Sequence, residues 1–522
     1  MKDTWSATTM GLDILLILVV LTPLVLVIWV IIVDRNQQEH SILRNYPLLG
    51  KARYILEKIG PELRQYLFQN DTEGKPFSRH QYETIVKRGK YLTDKIGFGS
   101  VKNFEEGDWY VVNSMFPRQM EEQRVDREQS PVTTSIYHIE DDGLFYRKEH
   151  RQSVKQDPWL LPDEDAIVVG NACVQPWRIK GLVGMSAMSY GALGEKAITA
   201  LSKGLGLAKG TWMNTGEGGL TKYHLQSDVD ILMQIGPGLF GVRDKNGEFD
   251  WGELKKKSEI EQVRAFELKL GQGAKIRGGH VDGEKVTPSI AEIRGVEVGK
   301  DIDSPNRFRQ FDDLPSLFAF IKKVREVSGK PVGMKIVVGN RENVASLAQA
   351  MKESGEGPDF ITVDGGEGGT GASYQDLADG VGLPLRSALM LTDQALREYG
   401  VRDRVKIIAS GKLITPDTMA VALGLGADLI HVARGLMFSV GCIQALRCHT
   451  NRCPVGVATT DPKLQRALVV EEKQYRVANY VMSLRKGLFR VAASAGLTSP
   501  VDFDHSHVVY KDRRDRVFPT QE

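Results

Sequence analysis

The chain has 522 residues, 26% of them charged, and a formal net charge of +2. That length can bury a large core and accommodates one big barrel with appendages. The near-neutral balance supplies no basic field for a polyanion, so no nucleic-acid partner is expected.

The N-terminus stands apart from the rest. Ile14 to Val33 is apolar for twenty residues, interrupted only by Thr22 and Pro23. About 20 apolar residues are needed to cross a bilayer core as a helix. A secretory signal has a shorter apolar stretch, ~7–15 residues, and then a small-residue cleavage site. Here Asp34-Arg35-Asn36 follows instead, and residues 1–35 read as a retained transmembrane anchor. Lys2 is the only basic residue before the span, whereas Arg35, Arg44, Lys51 and Arg53 come after it. The positive-inside rule then gives a single pass through the inner (cytoplasmic) membrane with the body in the cytoplasm. Thiols stay reduced there, which disfavours disulfides.

Residues 36–155 are polar and studded with aromatics, and are expected to be mainly helical or irregular. Apolar positions at helical spacing predict one helix from Ala52 to Phe68. Its basic neighbours can touch anionic lipid or simply form a solvated face. Residues 156–465 have a different texture: brief apolar runs, each stopped by glycine and followed by a helix-like stretch. The runs begin at Ala166, Gly181, Thr211, Ile231, Phe266, Pro331, Asp359, Val405 and Asp428. So many strand–glycine–helix units predict an α/β fold with parallel strands, a (β/α)8 TIM barrel, with an open doubly wound sheet as the alternative. Residues 466–522 read as a helical tail that becomes irregular.

Phosphates in such barrels sit on the loops after strands seven and eight. Ser410-Gly411-Lys412 and Ala433-Arg434-Gly435 fall there, although ordinary βα turns also use glycine. Asp364 opens a rarer loop, with Gly365, Gly366, Gly368, Gly369 and Gly371 in quick succession. Such a loop can lie flat against a ring system. Lys275 and Lys335 end strand-like runs and can point into a barrel mouth, to hold a carboxylate or stabilise a flavin's negative charge; surface lysines are the plain alternative. Glu217 and Arg294 read equally as a solvated loop acid and a helix-surface charge. Cys442, Cys448 and Cys453 crowd three of the four cysteines into twelve residues. The C-x5-C-x4-C spacing matches neither zinc-finger pairs nor the ferredoxin run, and three thiolates without a fourth suit a three-iron cluster. Reduced core cysteines are the alternative.

The stretches SAMSYGALGEKA, NTGEGG, QGAK, HVDGEKVTPSIAEIRG, VDGGEGGTGAS and GCIQALRCHTNRCPVGVATTDP span about residues 183–462. Together they resemble the FMN-binding synthase domain of glutamate synthases, in the short form with a membrane segment and no glutaminase part. The segments around 41–100 and YRVANY resemble the same short forms. The resemblance implies a [3Fe–4S] cluster on Cys442, Cys448 and Cys453. It implies FMN contacts from Lys335, Ser410, Gly411 and Gly435, with Met185, Ser186 and the 364–371 loop beside them. The family's 2-oxoglutarate pocket falls on Glu217, Lys275 and Arg294.

Two departures qualify the likeness. The loop QGAKIRGGH is one residue shorter than the family's QGAKPGEGGQ, which moves the last oxo-acid contact to His280 and adds Arg277. No cysteine precedes Cys173, so a glutamine-splitting half-reaction is not expected here, and no dinucleotide fingerprint is found. The resemblance therefore implies reductive amination of 2-oxoglutarate to L-glutamate. Ammonia would be free or come from a glutaminase partner, and electrons from an external donor (a ferredoxin or a reductase subunit). A non-catalytic electron-transfer or redox-sensing membrane subunit is the alternative. A dehydrogenase of the inosinate-dehydrogenase kind needs a nucleophilic cysteine after a mid-barrel strand, and the 364–376 loop has none.

Overall fold

A computed structural model describes residues 2–275 and 279–520, with side chains from residue 16 onward. The chain divides into two compact units, residues 1–81 and 82–522.

In the first unit a long helix, α1 (Lys2–Asn36), carries the apolar N-terminus. Its part from Leu16 to Asn36 has a mean hydropathy of 3.3 and is long and apolar enough to cross a membrane. Asp34 closes this helix and is only 2% exposed. Its carboxylate accepts from Leu48 N at 3.0 Å and from Lys51 Nζ at 2.8 Å. Those two residues begin the next long helix, α2 (Leu49–Leu63). The predicted 52–68 helix therefore starts three residues earlier, and it runs on as a wider turn over Arg64–Phe68.

The second unit is built on a closed barrel of eight parallel strands. They are β1 (Val183–Met185), β2 (Trp212–Asn214), β3 (Asp230–Ile235) and β4 (Val263–Lys269), then β5 (Val332–Ile336), β6 (Phe360–Asp364), β7 (Lys406–Ser410) and β8 (Leu429–Val432). Each pairs with the next, and β8 closes on β1 through Val432 and Met185. Eight of the nine predicted runs become these strands. The run at Ala166 does not: Ile167–Val169 pairs antiparallel with Trp177–Ile179. That hairpin plugs the bottom of the barrel. Trp177 is fully buried, donates to Asp230 at 2.9 Å and meets the Trp212 ring edge-on at 5.6 Å.

After a further helical stretch, Arg79–Val86 and the wider turn Lys87–Tyr91, the chain before the barrel is largely extended. Val132–Asp142 and Arg147–Gln156 form a long antiparallel hairpin. Asp108–Val111 pairs with Val508–Lys511, which in turn pairs with Val517–Pro519, so the tail ends in strands. A long helix, α3 (Val470–Ser494), ties these pieces to the barrel. Its buried Asn479 donates to the carbonyls of Gly89 and Ser135. Its Arg485 donates to the carbonyls of Pro158, Ala208 and Lys209.

Candidate active site

Strand register brings the charged residues of the barrel mouth together. Lys335 stands beside Lys269 across β5 and β4, and Asp364 beside Ser410 across β6 and β7. The buried Lys335 and Asp364 form an ion pair at 3.3 Å. Asp364 also accepts from Gly273 N at 2.8 Å. That contact seats the QGAK turn hard against the glycine loop, because a Cβ on Gly273 would lie 1.8 Å from the Gly365 carbonyl oxygen. Only glycine permits this approach. The loop is strapped further by Gly366 N on Leu383 O and by Arg434, which donates to Glu367 O at 2.6 Å. Burial pushes the Arg434 guanidinium down to about 10, against the opposing pull of Asp364 and Glu367.

Met185, Ser186, Ser410, Gly411 and Lys412 line up at the ends of β1 and β7. The Ser186 and Ser410 hydroxyls are 3.3 Å apart. Gly411 and Lys412 both take positive φ, 149° and 50°, which turns the backbone sharply above the strand. Gly435 has a second, structural reason to be glycine: a Cβ there would sit 2.5 Å from the Tyr480 hydroxyl on α3. These features fit a flavin phosphate and ring. The loops are glycine-lined, cations flank them, and the buried His431 Nδ1 is unpaired among the described residues.

Beside the mouth lies a cleft of about 60 Å3. Glu217, Lys275, Arg294 and His280 all line it, together with Lys285 and Cys448. Arg294 reaches it from the last turn of a short helix, Pro288–Arg294, capped by Thr287 and stopped by Gly295 at φ 60°. The guanidinium lies over Phe240, donates to Tyr190 O at 3.0 Å, and leaves Nε unpaired among the described residues. Burial lowers it to about 10, while Glu217 opposes the shift. Glu217 accepts from Lys269 at 2.6 Å through Oε1, and its buried Oε2 has no partner among the described residues. Burial alone would raise this carboxyl, but Lys269 and Lys275 outweigh it and hold it below the ordinary range. Lys275 donates to Ala372 O at 3.2 Å. Burial, reinforced by Lys269, pushes its ammonium down to about 8.

His280 lines the same cleft, but both ring nitrogens are engaged, Nδ1 with Asp303 at 2.8 Å and Nε2 with Asp282 at 2.9 Å. Those carboxylates, Asp303 first, raise its pKa above the ordinary imidazole value. An oxo-acid contact from this ring requires breaking one of these pairs. Arg277 lies outside the described residues.

Cys442, Cys448 and Cys453 are free thiols in one loop, whose course is set by positive φ at Gly441, Gln444, Leu446 and Asn451. Gln444 N donates to Cys442 Sγ at 3.4 Å. Burial pushes the Cys442 thiol up to about 12, and its two neighbours push the same way. Among the described residues, no three His, Cys, Asp or Glu side chains converge on a single-ion site.

A profile of the conserved region in glutamate synthase matches residues 119–498. The chain belongs to the glutamate synthase family. It is 60% identical over 495 residues to the glutamate synthase large subunit-like protein YerD of Bacillus subtilis, covering 94% of each chain. It is 32% identical over 357 residues to an archaeal-type glutamate synthase [NADPH] of Thermotoga maritima, covering 68% of this chain and 66% of that one. Among solved structures, mandelate oxidase with benzoyl-formic acid aligns at 13% identity and a TM-score of 0.42, over 79% of this chain and 86% of that one.

Membership of the glutamate synthase family makes the chain an oxidoreductase of glutamate synthase type. It does not account for three buried residues that motif reading passed over. Lys269 holds Glu217. Lys285 donates to Cys448 O at 2.5 Å and so joins the cleft to the cysteine loop. Glu267 lies inside the barrel and accepts from Asn214, Gln234 and Thr362. A signal for two of them was present: Glu267 and Lys269 sit two apart in an apolar strand, on one face, and that face is the barrel interior.

Proposed function

We propose that the chain is a membrane-anchored enzyme that reductively aminates 2-oxoglutarate to L-glutamate, with its body in the cytoplasm. The carrying observation is the composition of the cleft. Buried Lys275, Lys285 and Arg294 line it, with Lys269 behind; Glu217 is paired with Lys269, and the other lining carboxylate, Asp282, is paired with His280. A pocket so rich in buried cations is electrostatically incomplete until a dianion enters. Arg294 can hold one carboxylate through a charge-assisted hydrogen bond, with Lys275 close to the second. The unpaired Glu217 Oε2 is a ready acceptor for the N–H of an amine or imine. Lys275, at about 8, carries a proton near neutrality that it can give to the departing oxygen as ammonia replaces it.

FMN would be held by Met185, Ser186, Lys335, Ser410, Gly411, Lys412, Arg434 and Gly435, over the glycine loop from Asp364 to Gly369. Cys442, Cys448 and Cys453 would bind a [3Fe–4S] cluster. When bound, these groups supply hydride and single-electron transfer respectively. Electrons come from outside the chain, from a ferredoxin or a reductase subunit. Ammonia is free or delivered by a glutaminase partner. Detergent-purified protein given 2-oxoglutarate, ammonium and reduced viologen is expected to form glutamate; a flavin- and iron-loaded preparation that forms none rules the proposal out.

The engagement of both His280 nitrogens favours a second reading, a membrane subunit that transfers or senses electrons without making glutamate. A conduit of that kind has no use for 2-oxoglutarate, so its saturable binding distinguishes the two.

A further inference from the structure

The helix α2 and the turn that extends it carry an apolar face of exposed side chains. Leu49, Ile55, Leu56, Ile59, Leu67 and Phe68 are each between 44% and 78% exposed. Leu49, Leu56, Ile59 and Leu67 follow at spacings of seven, three and eight residues and so fall on one stripe. An exposed stripe of this size is unusual on a water-facing helix. The polar side is basic on balance, with Lys51, Arg53, Lys58 and Arg64 against Glu57 and Glu62. Apolar on one side and basic on the other is the pattern of helices that lie in the plane of a membrane interface.

Two further observations select the bilayer as the occupant. The stripe begins only a dozen residues after a span whose apolar window is unburied. The angle between the two helices is also held from inside, because the buried Asp34 at the end of α1 accepts from Leu48 N and Lys51 Nζ at the start of α2. A leader destined for removal has no need of a buried carboxylate locking its last turn to the following helix. Arg35 and Arg44 add basic charge between the two helices, where anionic headgroups would lie.

We propose that α2 is an interfacial helix, seated with its apolar face in the headgroup and acyl boundary of an anionic leaflet. The Asp34 clamp holds it across the end of the transmembrane span. This rests on the anchor in the reading above and adds a second membrane contact to it. That contact fixes the orientation of the first unit at the surface, which a lone span leaves free to rotate.

The test uses the full chain in bilayers containing anionic lipid, with a nitroxide attached at Ile59→Cys or, on the opposite face, at Glu57→Cys. The unsubstituted chain, labelled identically, supplies the background from the native cysteines. The Ile59 label is expected to collide severalfold more with oxygen, which partitions into lipid, than with a water-soluble nickel chelate, and the Glu57 label to show the reverse. Nickel access at both positions overturns the inference and puts the helix in water. Shielding of the Ile59 label from both reagents also overturns it, and identifies a protein occupant, a second copy or a partner. Loss of the whole chain from the membrane fraction after an alkaline wash, with an intact mass lacking residues 1–35, removes the anchor itself and is told apart by that mass.

Discussion

Two buried carboxylates inside one barrel face opposite circumstances. Glu267 accepts from Asn214, Gln234 and Thr362, so both of its oxygens are satisfied by neutral donors. Glu217 has one oxygen on Lys269 and one without a partner among the described residues, with the unpaired Arg294 Nε in the same cleft. The first arrangement is finished and holds strands β2, β3, β4 and β6 together. The second leaves an oxygen and a nitrogen open among Lys269, Lys275 and Arg294, which is what the proposed diacid site would need. A closed polar network stabilises; an open one binds.

The largest expected effect lies on the closed side. Glu267→Leu strands three buried donors, each costing about 1–3 kcal/mol. Denaturant unfolding should register a loss of at least about 3 kcal/mol, and a loss below 1 kcal/mol would break the contrast. On the open side, Arg294→Ala should weaken 2-oxoglutarate binding by about 2–3 kcal/mol, roughly 30- to 150-fold, read by equilibrium titration.

Lys275 sharpens the contrast because its two effects run in opposite directions. Its folded pKa of about 8 lies below the ordinary lysine value, so folding disfavours its charged form below that pH. Lys275→Met should therefore gain about 1–2 kcal/mol of stability at pH 7 while losing affinity for the diacid. In the unsubstituted protein that affinity should fall as pH rises through about 8, and in the variant this pH dependence should vanish. His280 marks the small end of the series. Asp303 and Asp282 raise its pKa, so the stability it contributes is present below about 6.5 and fades as pH rises through the folded value. Its partner Asp303 is largely exposed, which limits the effect to under about 0.5 kcal/mol. His280→Gln should flatten that part of the stability–pH curve and little else.

Much of the barrel was legible because a buried parallel strand is a bare apolar run and its loop needs glycine. The run at Ala166 misled for the same reason: Ile167–Val169 is as apolar as a barrel strand, and nothing local says that its partner is Trp177–Ile179. The hairpin from Val132 to Gln156 escaped notice because its second strand is largely exposed and polar, which leaves no alternation to read. In the cleft, Glu217, Lys275 and Arg294 could be named only from their motifs, since the sequence separates them by 77 positions. Lys285 was invisible because its role depends on a carbonyl from the cysteine loop, far along the chain. Gly435, read as a ligand contact from the resemblance, has a packing reason that its motif does not show.

The account turns on the cleft being built for an oxo diacid. Calorimetric titration of 2-oxoglutarate into the detergent-purified holoenzyme at pH 7 tests this most directly. Saturable binding that is weakened roughly 30- to 150-fold in Arg294→Ala and also weakened in Lys275→Met is the predicted result. No binding, or binding that neither substitution alters, would contradict it.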